Sequence, residues 1–292
     1  MLRWLIILLF AGLGFPSLRA LAQEPDQAAT LAEQVAAAVK EFNAEGYAFR
    51  QAKTDEERAP IIERVNRLTL KLLSLAEKNP DSPATIDCLV QTINQELWLE
   101  NNTTHPGFGP QSPHVKAIAI LLRDHLGSDK LAESTRRVQY GFRPECETFL
   151  RTVAEKSPHW EIRGLSSLRL AQFLNLRQQR VEILQLRPEM AKRYEGLFGK
   201  EFLDRLLHRD RAAALAEIEA TFERAAKEYA DVKLPYGSGT VGQKAASELY
   251  ELRHLSVGKQ APEIAGEDQD GRPLALSDFR GKVVLLYFWS EY

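Results

Sequence analysis

Two cysteines, six histidines, a glycine-rich stretch with a lysine and a run of arginines are the residues in this 292-residue chain that could do chemistry. Cys88 and Cys146 each sit inside an amphipathic-helix pattern, TIDCLVQTI and PECETFLRTV. An exchangeable dithiol needs two sulfurs side by side, with one of them held as thiolate. Nothing in the spacing of these two provides that. They read as separate buried thiols acting as small hydrophobes. A structural disulfide between Cys88 and Cys146 is the alternative, because an oxidising compartment favours pairing.

The other candidates read more plainly. His105, His114, His125, His159, His208 and His254 show neither His-x-x-x-His nor Glu-x-x-His spacing, so no metal site is assigned. His105 and His114 fall in NNTTHPGFGPQSPH, a Pro/Gly-rich stretch expected to be a solvated loop. YGSGTVGQK places Gly237, Gly239, Gly242 and Lys244 in the outline of a phosphate loop. No strand precedes it and Pro235 interrupts the approach, so it reads as a linker into a helix from Val241. Ser166, Ser167 and Ser238 lack the Gly-x-Ser-x-Gly turn of a hydrolase nucleophile. Arg163, Arg169, Arg177 and Arg180 read as a solvated or ion-paired helix face, with a partner-facing surface as the alternative. No catalytic residue and no cofactor is assigned.

Charge and the first residues bound the setting. With 38 Lys and Arg against 40 Asp and Glu, the chain lacks the basic surplus that binding a phosphate backbone requires, and nucleic acid is not an expected partner. The opening MLRWLIILLFAGLGFPSLRALAQ carries Arg3, an apolar stretch over residues 4–15 and the small-x-small triplet Ala20-Leu21-Ala22. That is the pattern of a secretory signal over residues 1–22, too short to span a bilayer. An exported, periplasmic protein is expected, touching the membrane only in transit. An uncleaved anchor through residues 4–15 is the alternative.

From residue 26 to 255 the periodicity is helical. Thr54 with Glu57 forms a capping box, and Ile61, Ile62, Val65, Leu68, Leu72 and Leu75 follow at three- and four-residue steps to a stop at Pro80. Ser82-Pro83 and Ser112-Pro113 each open a helix with a cap and an N1 proline. Further helices are predicted over 143–157, 160–180, 199–230 and 240–255. Ala-Glu-Lys-x-Pro occurs twice, at Ala76 and Ala154, each followed by a fresh helix, and AAKEYADV is a fainter third copy. No strict period runs along the chain. The pattern therefore predicts an irregular array of helical hairpins, of tetratricopeptide or HEAT kind without their regularity.

The character changes near Leu255. Asp270-Gly271 marks a hairpin turn between EIAGE and PLALS. Residues 277–281 form a second turn, and the apolar run Val283 to Trp289 reads as a buried strand. Within this tail, Val257-Gly258 precedes Ala261-Pro262 and the Asp270-Gly271 turn. Leu276-Ser277-Asp278-Phe279-Arg280-Gly281-Lys282 then leads into Val283-Val284-Leu285-Leu286 and Phe288-Trp289.

That ordered set resembles the opening of the redoxin group of the thioredoxin fold. The group includes exported thiol–disulfide oxidoreductases of the TlpA and ResA type and the AhpC/TSA peroxiredoxins. The resemblance covers about 36 of the 292 residues. It implies the first strands of a thioredoxin-like α/β domain over 256–292, joined to a helical domain over 26–255. The fold class expected is thus mainly α with an incomplete α/β tail.

In the family, the strand ending in Phe-Trp delivers a Cys-x-x-Cys to a helix N-terminus, where the dipole lowers the thiol pKa. In this sequence Ser290-Glu291-Tyr292 fills the approach and no cysteine follows Trp289, so none of the family's catalytic residues has a counterpart. The Trp-x-x-aromatic spacing favours the disulfide-exchange branch. The resemblance implies an exported antioxidant or thiol–disulfide oxidoreductase relative that is truncated and inactive alone, its helical domain docking a protein partner or disulfide substrate. Three accounts stay open: a shortened relic, a missing half supplied by a neighbouring gene, or a non-catalytic periplasmic helical-repeat interaction module.

Overall fold

The computed structural model describes residues 29–102 and 112–290. The segment 1–22 and His105 lie outside the described residues. Eleven α-helices are present among the described residues: α1 Leu31–Gln51, α2 Asp55–Lys78, α3 Thr85–Asn102, α4 Pro113–Asp124, α5 Leu131–Val138, α6 Pro144–Lys156, α7 Trp160–Leu186, α8 Pro188–Phe198, α9 Lys200–Leu207, α10 Arg211–Glu228 and α11 Val241–Tyr250. A π-turn over Glu251–Leu255 follows, then β1 Ala265–Glu267, β2 Pro273–Ala275 and a 3₁₀ turn over Leu276–Phe279. The fold is mainly α, with a short antiparallel two-stranded sheet at its C-terminal end.

Local chemistry starts and stops these helices. Capping boxes open α1 (Thr30 with Glu33), α2 (Thr54 with Glu57) and α11 (Thr240 with Gln243), each satisfying two otherwise orphaned N–H groups. Ser112 caps α4, with Pro113 in the first turn as its fixed φ allows. The two Ala-Glu-Lys-x-Pro copies have one structural meaning: they end α2 at Lys78 and α6 at Lys156, and in each case the following helix folds back onto its predecessor. The third copy likewise ends α10 before α11 packs on it.

Two predicted helices have different bounds. The run expected over 199–230 is two helices, because Asp210 turns its carboxylate onto the N–H groups of Ala212 and Ala213 and starts a new one. The helix expected to end at 180 continues to Leu186, where Pro188 and the extended pre-proline backbone stop it.

One continuous core runs through α2, α3, α4, α6, α7 and α10, and includes Leu72, Leu89, Ile93, Leu121, Phe149 and Phe222, all fully buried. Burying each such side chain contributes about 1.5–3 kcal/mol. A smaller second core gathers Phe142, Val181, Leu184 and Leu203. Here α8 and α9 lay Tyr194, Phe198 and Phe202 around the Phe142 ring at 5.1–5.8 Å, the separation at which aromatic pairs attract.

The tail obeys its turn signal but not its strand signal. Ala265, Gly266 and Glu267 pair with Ala275, Leu274 and Pro273. Asp268 closes the turn, its Oδ1 accepting from the N–H groups of Asp270 and Arg272, while Gly271 takes φ +76°. Val283 to Trp289, expected as a buried strand, forms no strand, and its side chains are exposed, Leu285 by 91%. A strand exists only by pairing, and among the described residues β1 and β2 pair with each other alone. Among the described residues no helix is long and apolar enough to cross a membrane.

Candidate functional site

The arginines of α7 are occupied within the molecule. Arg177 is buried, donates to Glu147 Oε2 at 2.6 Å and lies over the Phe173 ring. Glu147 also binds Arg151, which reaches Glu217 of α10 in turn. Arg163 donates to the Ser157 carbonyl at 3.0 Å and covers Trp160, while Arg180 covers Phe142. Arg169 donates to Gln172 Oε1 at 2.7 Å. Ser166 is buried with its hydroxyl donating to the Leu150 carbonyl, so no nucleophile stands there.

The glycine-rich stretch closes a tight connection between α10 and α11. Lys233 bridges Thr240, and the Gly242 N–H donates to the Ala230 carbonyl at 3.2 Å. A Cβ on Gly242 would sit 2.8 Å from the Ala230 backbone, which explains the glycine without any phosphate. Lys244 pairs with Glu248.

Among the described residues, an assembly of chemically capable groups that motif reading misses is buried where α3, α4 and α6 meet. His114, expected in a loop, is in the first turn of α4 and has no exposed surface. Its Nε2 is 3.4 Å from Cys146 Sγ, and its Nδ1 is 3.8 Å from Glu100 Oε1. Arg143, the N-cap of α6, donates through Nε to the same Glu100 oxygen at 2.5 Å and stacks on Phe198. Gly141 makes room for the sulfur: a Cβ there would fall 2.4 Å from Cys146 Sγ. Glu96, one turn before Glu100 on α3, completes the cluster at 1% exposure.

The order thiol, imidazole, carboxylate is that of groups that can raise a nucleophile, although His114 Nδ1 makes no hydrogen bond to Glu100 or to any other described group. Its electrostatics run the other way. Burial, helped by the Glu100 charge, pushes the Cys146 thiol far above its ordinary range. Burial, with Arg143 beside it, drops His114 to about 3. Both groups are therefore neutral at physiological pH, and the thiol and Nε2 share one weak hydrogen bond. Burial also pushes Cys88 up, to about 11.

Cys88 and Cys146 are both free and fully buried, and the disulfide between them is not formed in the structure. Two i,i+4 glutamates on an otherwise apolar helix face were the available sequence signal for this cluster. Its other members come from two further helices, which no spacing rule joins. Among the described residues no group of three or more His, Cys, Asp or Glu side chains could hold a metal.

The tail presents the other candidate region. Ala275 N–H donates to Asp278 Oδ2, and Ser277 N–H donates to Glu263 Oε1, so the Leu-Ser-Asp-Phe turn is tied back to the residues before β1. Over residues 257–292 the chain matches the model of the AhpC/TSA family. This stretch is thus similar to part of a redoxin domain of the thioredoxin-like class. No solved structure matches the chain. Residues 257–292 contain no cysteine.

Proposed function

We propose that this protein is an exported, periplasmic relative of the thiol–disulfide oxidoreductases, of TlpA and ResA type. In this reading the redoxin segment opens the redox domain, and the helical region docks a protein partner or disulfide substrate. The AhpC/TSA match over residues 257–292 carries the redox class, and the pattern of residues 1–22 supports export. The docking role is supported by a cleft of about 630 Å³ between α7, α10 and α11, bordered by Gln178, Glu182, Glu219, Glu248 and Leu252, which opens beside the start of the redoxin segment at Ser256 and Val257. Helical arrays commonly present such surfaces to partners.

The 292 residues hold no thiol fit for exchange. A reactive cysteine is exposed and of lowered pKa, whereas Cys88 and Cys146 are buried and raised. The chain by itself is therefore expected to reduce insulin no faster than a cysteine-free variant. To test the class, residues 257–292 would replace the opening segment of an active AhpC/TSA-family enzyme. A chimera that folds and retains turnover supports the reading, and one that folds without the thioredoxin-like sheet sinks it.

A non-catalytic helical interaction module is the second reading, favoured by the burial of both cysteines. It predicts that the chimera fails while the helical region still binds its partner.

A further inference from the structure

Glu96 and Glu100 stand one turn apart on α3, and both side chains are inside the molecule, at 1% and 7% exposure. Arg143 ion-pairs with Glu100 directly. Glu96 Oε2 has no hydrogen-bond partner among the described residues. A buried carboxylate with an unbonded oxygen, beside a second carboxylate, suffers both desolvation and like-charge repulsion, and one proton relieves both.

Among the described residues no second neutralising charge acts on Glu96. His114 faces the pair from α4, and Arg143, Glu145 and Cys146 face it from the start of α6. Arg180 of α7 acts on Glu100 at longer range, and Arg193 of α8 donates to the Glu100 carbonyl at 3.2 Å. From α2 comes the neutral Thr69, bonded to Gln95. Arg137 of α5 meets α3 at Asn94, and α1 meets it with Phe42 and Phe49 around Trp98. Among the described residues, the charged groups acting on Glu96 itself are Glu100, which opposes ionisation, and Arg143, which Glu100 also engages.

We propose that the Glu96–Glu100 pair holds one proton whenever α3, α4, α6 and α8 are packed together, so that the helical region closes with proton uptake and loosens when that proton leaves. Arg143 carries the effect outward, because its guanidinium contacts both the Glu100 carboxylate and the Phe198 ring of α8. This inference concerns the helical region alone and stands whether or not the redoxin reading does.

The pH dependence has a defined sign. Burial raises Glu96 from 4.5 to about 8 in the fold. Its stabilisation is full below the unfolded value and is lost as pH climbs to about 8. His114 is lowered from 6.5 to about 3. Its stabilisation is full above 6.5 and is lost as pH falls toward 3. Between 4.5 and 6.5 the two slopes oppose and cancel, which leaves a plateau. Burial also raises Glu100 while Arg143 opposes the rise, so the two carboxylates share the one proton and lose it in a single step.

Urea unfolding of the full chain across this range tests the proposal. The midpoint should be highest on the plateau and fall between about pH 6.5 and 8, and Glu96→Gln should remove most of that fall. A variant whose midpoint falls in parallel with the unaltered chain would overturn the proposal. Should Glu96→Gln fail to fold, infrared spectroscopy of the unaltered chain decides. A protonated-carboxyl stretch that persists at neutral pH and bleaches above pH 8 supports it, and its absence at neutral pH overturns it.

Discussion

The helical region and the tail after Leu255 treat apolar side chains in opposite ways. From α1 to α11 most large apolar residues are covered, with scattered exceptions such as Leu70 and Leu186, and even the polar cluster around Glu100 is sealed inside. From Val283 to Trp289 seven consecutive apolar residues are exposed. Helices can cover one another because their backbone bonds are internal, so packing needs only an apolar stripe. A buried strand needs neighbours on both edges, and a two-stranded hairpin cannot supply them. Local order in the tail therefore stops where local hydrogen bonds stop, at the turn around Phe279 and Gly281. The comparison also separates identity from capability. The segment that matches a redox family has no thiol, and the region that has the thiols buries them.

The largest effect should come from the helical core. Phe149 is fully buried between α6 and its neighbours, and Phe149→Ala should destabilise the chain by about 3–5 kcal/mol, read from urea unfolding. Gly141→Ala tests the seat of the thiol. Its Cβ would clash with Cys146 Sγ, and a loss of about 1–3 kcal/mol is expected. Adding Cys146→Ala should restore most of it, since the clash is with that sulfur, and a strictly additive double variant would show that the backbone of Gly141 matters instead. The smallest effect belongs to the tail. Leu285→Asp should leave stability within about 0.5 kcal/mol, because the side chain buries nothing. The same change should lower self-association in light scattering, since exposed apolar backbone and side chains invite it.

These contrasts follow what was legible in the sequence. The capping box at Thr54, the proline stops, the repeated Ala-Glu-Lys-x-Pro turns and the Asp270-Gly271 hairpin are local signals, and each has its local structure. The break at Asp210 is also local, but strong helix formers on both sides conceal it. The place of His114 was half legible. Ser112-Pro113 marks the helix start, yet only the packing of α4 against α3 and α6 shows that its first turn is buried. The contacts among Glu100, Arg143 and Cys146 join residues distant in sequence, and no periodicity encodes them. The apolar run at Val283 misleads for the same reason, because its strand character depends on partners that local sequence does not contain.

Counting reactive thiols in the folded chain tests the central claim most directly. Iodoacetamide labelling without reductant, followed by mass spectrometry, should find Cys88 and Cys146 unmodified in the native protein and both modified once it is unfolded in urea. Rapid native labelling of either residue, or labelling in urea only after a reductant is added, would contradict the claim that this chain carries two buried, unpaired thiols and none fit for exchange.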